Sequence, residues 1–199
     1  MKSLQKATVT TCALAIIRDT IEFSPSSRIV CATSFTSFDD TLSTRFEIRS
    51  AIVPLGGSRE QAFEHIAKLV PLNATAVLRA PRMPRGLMRH IALGGAMPAP
   101  IDAQALTDLR SDLDVHSVCI SQNALDKAAS RFGFHRADPD DPLAERARRS
   151  GEEAQALYLA HLLCIASEQE RDRLGAAFQA WASLRKAAPL GAFGAVEEF

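Results

Sequence analysis

The run Ile17–Val30, "IRDTIEFSPSSRIV", closes one apolar segment, turns through Ser24-Pro25-Ser26-Ser27 and opens another. Upstream, Thr8–Arg18 is dense in Thr, Val and Ile, and downstream Arg28–Phe38 has the same character. β-Branched side chains suit a pleated, half-buried surface, and a Ser/Pro cluster between two such runs marks a turn. A third segment, Thr44–Pro54, follows the turn at Asp39-Asp40-Thr41. Connections this short allow only antiparallel neighbours, so the chain opens with a three-stranded meander.

Helical signals then take over. Ser58 with Gln61 forms a capping box, opening a helix that is expected to run to about Val70 before Pro71. Thr75–Leu78 reads as a short buried strand. A basic helix is expected over Pro84–Leu93, and another from Asp102 to Leu109 after a Pro-rich loop. Val115–Ile120 reads as a strand. Ser121–Phe132 reads as a helix closed by Gly133. Asp141-Pro142 starts a long helix with the stripe Leu143, Ala147, Ala154, Leu157, Tyr158 and Ile165. Ser167-Glu168-Gln169-Glu170 is a second capping box, and its helix carries Leu174, Ala177, Phe178, Trp181 and Leu184. A meander followed by alternating helices and strands predicts an α/β fold on a mixed sheet, with helices on both faces and an extra C-terminal helix. We expect one domain over residues 1–188, including the helix at 167–188, and a flexible tail over 189–199.

Composition narrows the function classes. The 199 residues carry 23 Lys+Arg against 23 Asp+Glu, so net charge attracts the chain to neither nucleic acid nor a membrane; any attraction must be a local patch. Cys12, Cys31, Cys119 and Cys164 lack metal-site spacing and read as reduced, mostly buried small hydrophobes of a cytoplasmic protein. No apolar run approaches the roughly 20 residues a membrane helix needs. Lys2 and Lys6 before Cys12–Ile17 imitate a signal peptide, but Arg18, Asp19 and Glu22 follow at once, so a strand is expected there. Walker, Rossmann and Ser-His-Asp signatures are absent from the sequence. His65 and His161 read as core-edge or surface residues. Asp138, Asp140 and Asp141 read as a helix-capping turn, and Gly56-Gly57 as a plain turn. Asp114 and His116 share a strand face by alternation.

The order of elements, with several local runs, resembles the DEDD-type 3′–5′ exonucleases (the DnaQ-like, proofreading-subunit-like family) of the RNase H-like superfamily. "FSPSSRIV" is similar to the turn and second strand that follow the family's Asp-x-Glu motif, and "STRFEIRSAIVP" looks like its third strand. "AVLRAPRMPRGLM" has the outline of its next strand–helix segment. "DVHSVCI", "ALDKAASRFGF" and "RRSGEEAQALYLAHLL" follow in the family's order, so the resemblance covers roughly residues 10–165. Sliding "IVCATSFTSFDD" onto the first motif instead would orphan residues 8–18.

The resemblance implies four carboxylates holding two metal ions, Mg²⁺ or Mn²⁺, with a His taking the proton of the attacking water. Carried over residue by residue, the first Asp falls on Ile17 and the Glu on Asp19. The third acid falls on Pro84, the last Asp on Glu153, and the His on Arg148. Asp19 and Glu153 are thus the remnant catalytic positions, sufficient at most for a single weak metal site. Asp39, Asp40, Glu47 and Glu152 are the neighbouring acids that could substitute. Arg79, Arg82, Arg85 and Arg89, with Arg148 and Arg149 from the long helix, form a candidate phosphate-binding set; a solvated basic face is the plainer reading.

The expectation is therefore a catalytically degenerate exonuclease-like protein that binds single-stranded DNA or RNA, or a partner protein, and needs no cofactor. The alternatives are an active exonuclease with displaced carboxylates, using Mg²⁺ or Mn²⁺, and a protein-interaction module without nucleic-acid contact. The Leu174, Phe178 and Trp181 stripe is expected to pack on the domain, with a partner or homodimer surface formed by this helix and the tail as the alternative; no membrane contact is expected.

Overall fold

The computed structural model describes residues 9–19, 28–40, 43–54, 56–72, 74–79, 117–134, 140–165 and 167–187. The meander forms as the alternation requires. β1 (Val9–Arg18), β2 (Ile29–Asp39) and β3 (Thr44–Ile52) pair antiparallel, Val9 opposite Asp39 and Asp39 opposite Thr44. β4 (Thr75–Arg79) joins β1 in parallel, and β5 (Ser117–Ile120) joins β4 in parallel. The order β3-β2-β1-β4-β5 makes β1 the central strand of a five-stranded mixed sheet.

Between β3 and β4 lies α1 (Arg59–Ala67), and after β5 come α2 (Gln122–Phe132), α3 (Leu143–Ile165) and α4 (Glu168–Ala187). The caps are those the sequence signals. The Ser58 hydroxyl accepts from the Gln61 N–H at 3.1 Å while the Gln61 side chain accepts from the Ser58 N–H at 2.9 Å. Ser121 caps α2, and Gly133 ends it at φ 70°, a left-handed conformation that costs glycine nothing. The Ser167 hydroxyl accepts from the Glu170 N–H. α1 ends at Ala67 and not near Val70, and β5 is seen from Ser117, the expected start at Val115 lying outside the described residues. The expected elements at 84–93 and 102–109, and the tail 189–199, lie outside the described residues.

Helices cover both faces of the sheet. On one, Cys12, Leu14, Ala32, Ala76 and Leu78 pack under Phe63 and Ile66 of α1. On the other, Ala13, Ala15, Phe35, Phe46 and Val77 meet α2, α3 and α4. An aromatic cluster of Phe35, Phe46, Tyr158, Phe178 and Trp181 stands at the centre of that second face, with centroid separations between 5.1 Å and 6.4 Å. Pairs at these distances add about 0.5–1.5 kcal/mol each beyond area burial. Ala154, Leu157 and Tyr158 of the α3 stripe and Leu174 and Phe178 of the α4 stripe are therefore used inside the fold, whereas Leu143 and Leu184 face solvent. Of the cysteines, Cys12 and Cys31 are buried, whereas Cys119 and Cys164 are exposed, so "mostly buried" holds for half of them; all four are free. Among the described residues no helix is long and apolar enough to cross a membrane.

Candidate functional site

Strand alternation puts Ile17 on the face that α3 covers, one residue past Ile16 on the α1 face. Ile17 is buried against Val30 and Cys31, with Ala147 of α3 packed on the group. This position holds a hydrocarbon contact between the sheet and α3. Two residues on, Asp19 is exposed and turned back on its own hairpin. Its N–H donates to the Arg28 C=O at 2.9 Å, and its carboxylate accepts from the Arg28 N–H at 2.8 Å. That carboxylate ties the two strands where they diverge.

Glu153 stands on the sheet-facing side of α3, 6% exposed, and its Oε1 lies 3.3 Å from Nη1 of Arg79 at the end of β4. The Arg79 side chain is 18% exposed. A buried carboxylate needs such a partner, because leaving water costs several kcal/mol per ion. One remnant acid and one member of the predicted basic set therefore hold each other.

Sequence reasoning missed the residue that completes this centre, Arg146. It lies seven residues before Glu153 with Ser150 between them, a spacing that puts all three on one helix face. Arg146 is nine-tenths buried. Its Nη2 donates to the C=O of Arg18, beside the bulge between Ile17 and Arg18 where the β1–β2 register shifts. The guanidinium thus takes up a carbonyl at the irregular end of the strand ladder. The i, i+7 spacing was the available signal.

Hydroxyls continue the polar seam. Ser150 donates to the Ala147 C=O at 2.6 Å, so it accepts from Thr33 at 2.5 Å, and Thr33 in turn accepts from Ser50 at 2.9 Å. Cys31, beside Arg146 and Ser150, has its thiol pushed up to about 11 by burial, a state unsuited to nucleophilic chemistry.

The other predicted residues fall as follows. Arg148 pairs with Glu145 at 2.6 Å and with Glu152, and Arg149 pairs with Glu145 at 2.8 Å and Asp141 at 3.3 Å. Hydrogen bonds from Arg148 and Arg149 pull the Glu145 carboxyl down to about 2. These two arginines face carboxylates on their own helix and its entry turn. Arg82, Arg85, Arg89 and Pro84 lie outside the described residues, as do Asp114 and His116.

The substitute acids sit elsewhere. Asp39 is at the opposite end of β2 from the Ile17 partner Cys31, bound to Arg173 at 2.6 Å, and Asp40 accepts from the Ser43 N–H in the hairpin. Glu47 projects on the α1 side with Arg45 and Arg49, and Glu152 is held by Arg148. Among the described residues, no three His, Cys, Asp or Glu side chains gather into a group that could hold a metal ion. Ile17, a hairpin-bound Asp19 and an arginine-bound Glu153 do not fit a two-metal centre. No family model, curated protein or solved structure matches this chain.

Proposed function

We propose that this chain is an exonuclease-like domain on an RNase H-like scaffold whose catalytic centre has been replaced by a structural polar seam, and that it acts by binding. The observation that carries the reading is the Arg79–Glu153 pair: the last carboxylate of the family's pattern is neutralised in place by a guanidinium from β4. The fold part is supported by β1 lying centrally, with its meander partners on one side and parallel strands on the other. The ligand class favoured by the charges is a partner protein, since Arg79, Arg148 and Arg149 each already face a carboxylate and offer phosphates little net charge. Single-stranded nucleic acid is the second reading, motivated by Arg82, Arg85 and Arg89 in sequence. Four free cysteines fit a reducing, cytoplasmic setting.

An end-labelled single-stranded oligonucleotide incubated with Mg²⁺ or Mn²⁺ should stay full-length. Shortening that Asp19→Asn or Glu153→Gln abolishes would overturn the proposal. Oligonucleotide binding that falls steeply with salt and weakens in Arg82→Ala/Arg85→Ala would select the nucleic-acid ligand, whereas no binding at low salt would select the protein partner.

A further inference from the structure

β3 ends the sheet on one side. Its inner edge pairs with β2 without a break in register from Thr44 to Ile52, and among the described residues no strand pairs with its outer edge. The phase of the ladder follows from its two ends. The Val53 N–H donates to the Val30 C=O at 3.0 Å, and the Asp40 N–H donates to the Ser43 C=O at 3.0 Å. In an antiparallel pair such bonded residues alternate, so odd-numbered residues of β3 bond to β2. The N–H and C=O groups of Thr44, Phe46, Ile48, Ser50 and Ile52 therefore point outward.

Edges are protected from self-pairing by a proline, a bulge, charged side chains or a covering element; charges of alternating sign, unlike those of one sign, can pair with a second copy. This edge has no proline, runs in unbroken register, and bears Arg45, Glu47 and Arg49, all exposed, in alternating sign. Glu47 and Arg49 are about half exposed and only loosely paired with each other at 3.8 Å.

We propose that β3 pairs antiparallel with β3 of a second copy of this chain, about a two-fold axis at Ile48, joining two five-stranded sheets into one. Ile48 is the middle residue of the nine-residue strand, so this axis gives full overlap. An axis on any residue of β3 keeps the alternation, so every outward group finds an outward partner. An axis at Glu47 would set Glu47 against Glu47 and Arg45 against Arg49 of the second copy, and an axis at Arg49 would set Arg49 against Arg49. An axis at Phe46 or Ser50 would shorten the overlap. About Ile48, Glu47 falls opposite Arg49 of the second copy and Arg49 opposite its Glu47, at the close spacing of a non-bonded pair. Thr44 falls opposite Ile52, whose side chain is 42% exposed in the single chain. The partner is thus identified by self-complementary charge along an open edge.

Sedimentation velocity of the full chain over roughly 1–100 µM tests this. A dimer is expected. Glu47→Arg sets guanidinium against guanidinium across the axis, and Arg49→Glu sets carboxylate against carboxylate, so each should weaken association about tenfold or more. Mixing the two variants pairs opposite charges again and should restore a dimer. Both side chains are half exposed, so far-UV circular dichroism should match the parent. A monomer throughout would overturn the proposal. So would a dimer that both variants leave intact, or a mixture that stays monomeric.

Discussion

Arg79 and Glu153 lie 74 residues apart in the chain and meet between β4 and α3. Removing one partner strands the other. Arg79→Ala should lower unfolding free energy by about 3 kcal/mol in urea titration, because it leaves the carboxylate buried and uncompensated. Removing both, as Arg79→Met with Glu153→Leu, should recover most of that loss, since a hydrophobic pair avoids desolvating either ion. A double variant as unstable as the sum of the singles would show that the pair does not work as a unit. Asp19 belongs to a different kind of residue. It is exposed and close to its own turn, so its role as a hairpin tie is local and Asp19→Asn should leave the fold intact.

At the level of elements, α4 packs on the domain as its stripe predicts: Leu174 and Phe178 are buried, and Phe178 lies among Phe35, Phe46 and Tyr158. The helix is also pinned by charge: Arg173 grips Asp39 through both guanidinium ends at 2.7 Å and 2.6 Å, which holds the Asp39 carboxyl below its ordinary range. α4 therefore covers the wide end of the meander, over β2 and β3. Phe178→Ala should cost about 3–4 kcal/mol by opening a cavity among the four remaining rings, read as a lower urea midpoint. A loss under about 1 kcal/mol, the scale of a surface substitution, would mean that α4 is merely laid on the domain.

For the whole molecule, His161, Asp39 and Glu145 together predict a two-stage response to acid. His161, on α3, has a buried Nδ1 without a hydrogen-bond partner, and burial pushes its pKa down. The unfolded chain thus takes up a proton near pH 6.5 that the folded chain resists, so stability is full above about 6.5 and declines as pH falls below it. Asp39 and Glu145 act later: their carboxyls are depressed in the fold, so their contribution is full above about 4 and is lost as pH falls further. Melting temperature should begin to decline as pH falls below about 6.5, and His161→Phe should remove that step alone. A first step unchanged by the substitution would assign it to another group.

The strands and helix ends were legible in the residues because their causes are local. β-Branched runs split by "SPSS", a Ser58/Gln61 box and a Gly133 stop each act within a few positions. Ile17 could be read as unfit for a metal without any structure, since a hydrocarbon side chain has no lone pair to offer. What the residues could not disclose was which charges meet. Arg79 looked like a phosphate contact until β4 carried it to Glu153, and Arg148 and Arg149 looked like a basic patch until the helix turned Glu145, Glu152 and Asp141 onto them. Arg146 went unseen for the same reason, because its acceptor, the Arg18 carbonyl beside the register shift of β1, lies 128 residues away in the chain. Local conformation follows from side-chain sterics and backbone hydrogen bonding between near neighbours. The pairing of charges follows from contacts between segments far apart in the chain, which only packing the sheet against α3 brings within a few ångströms.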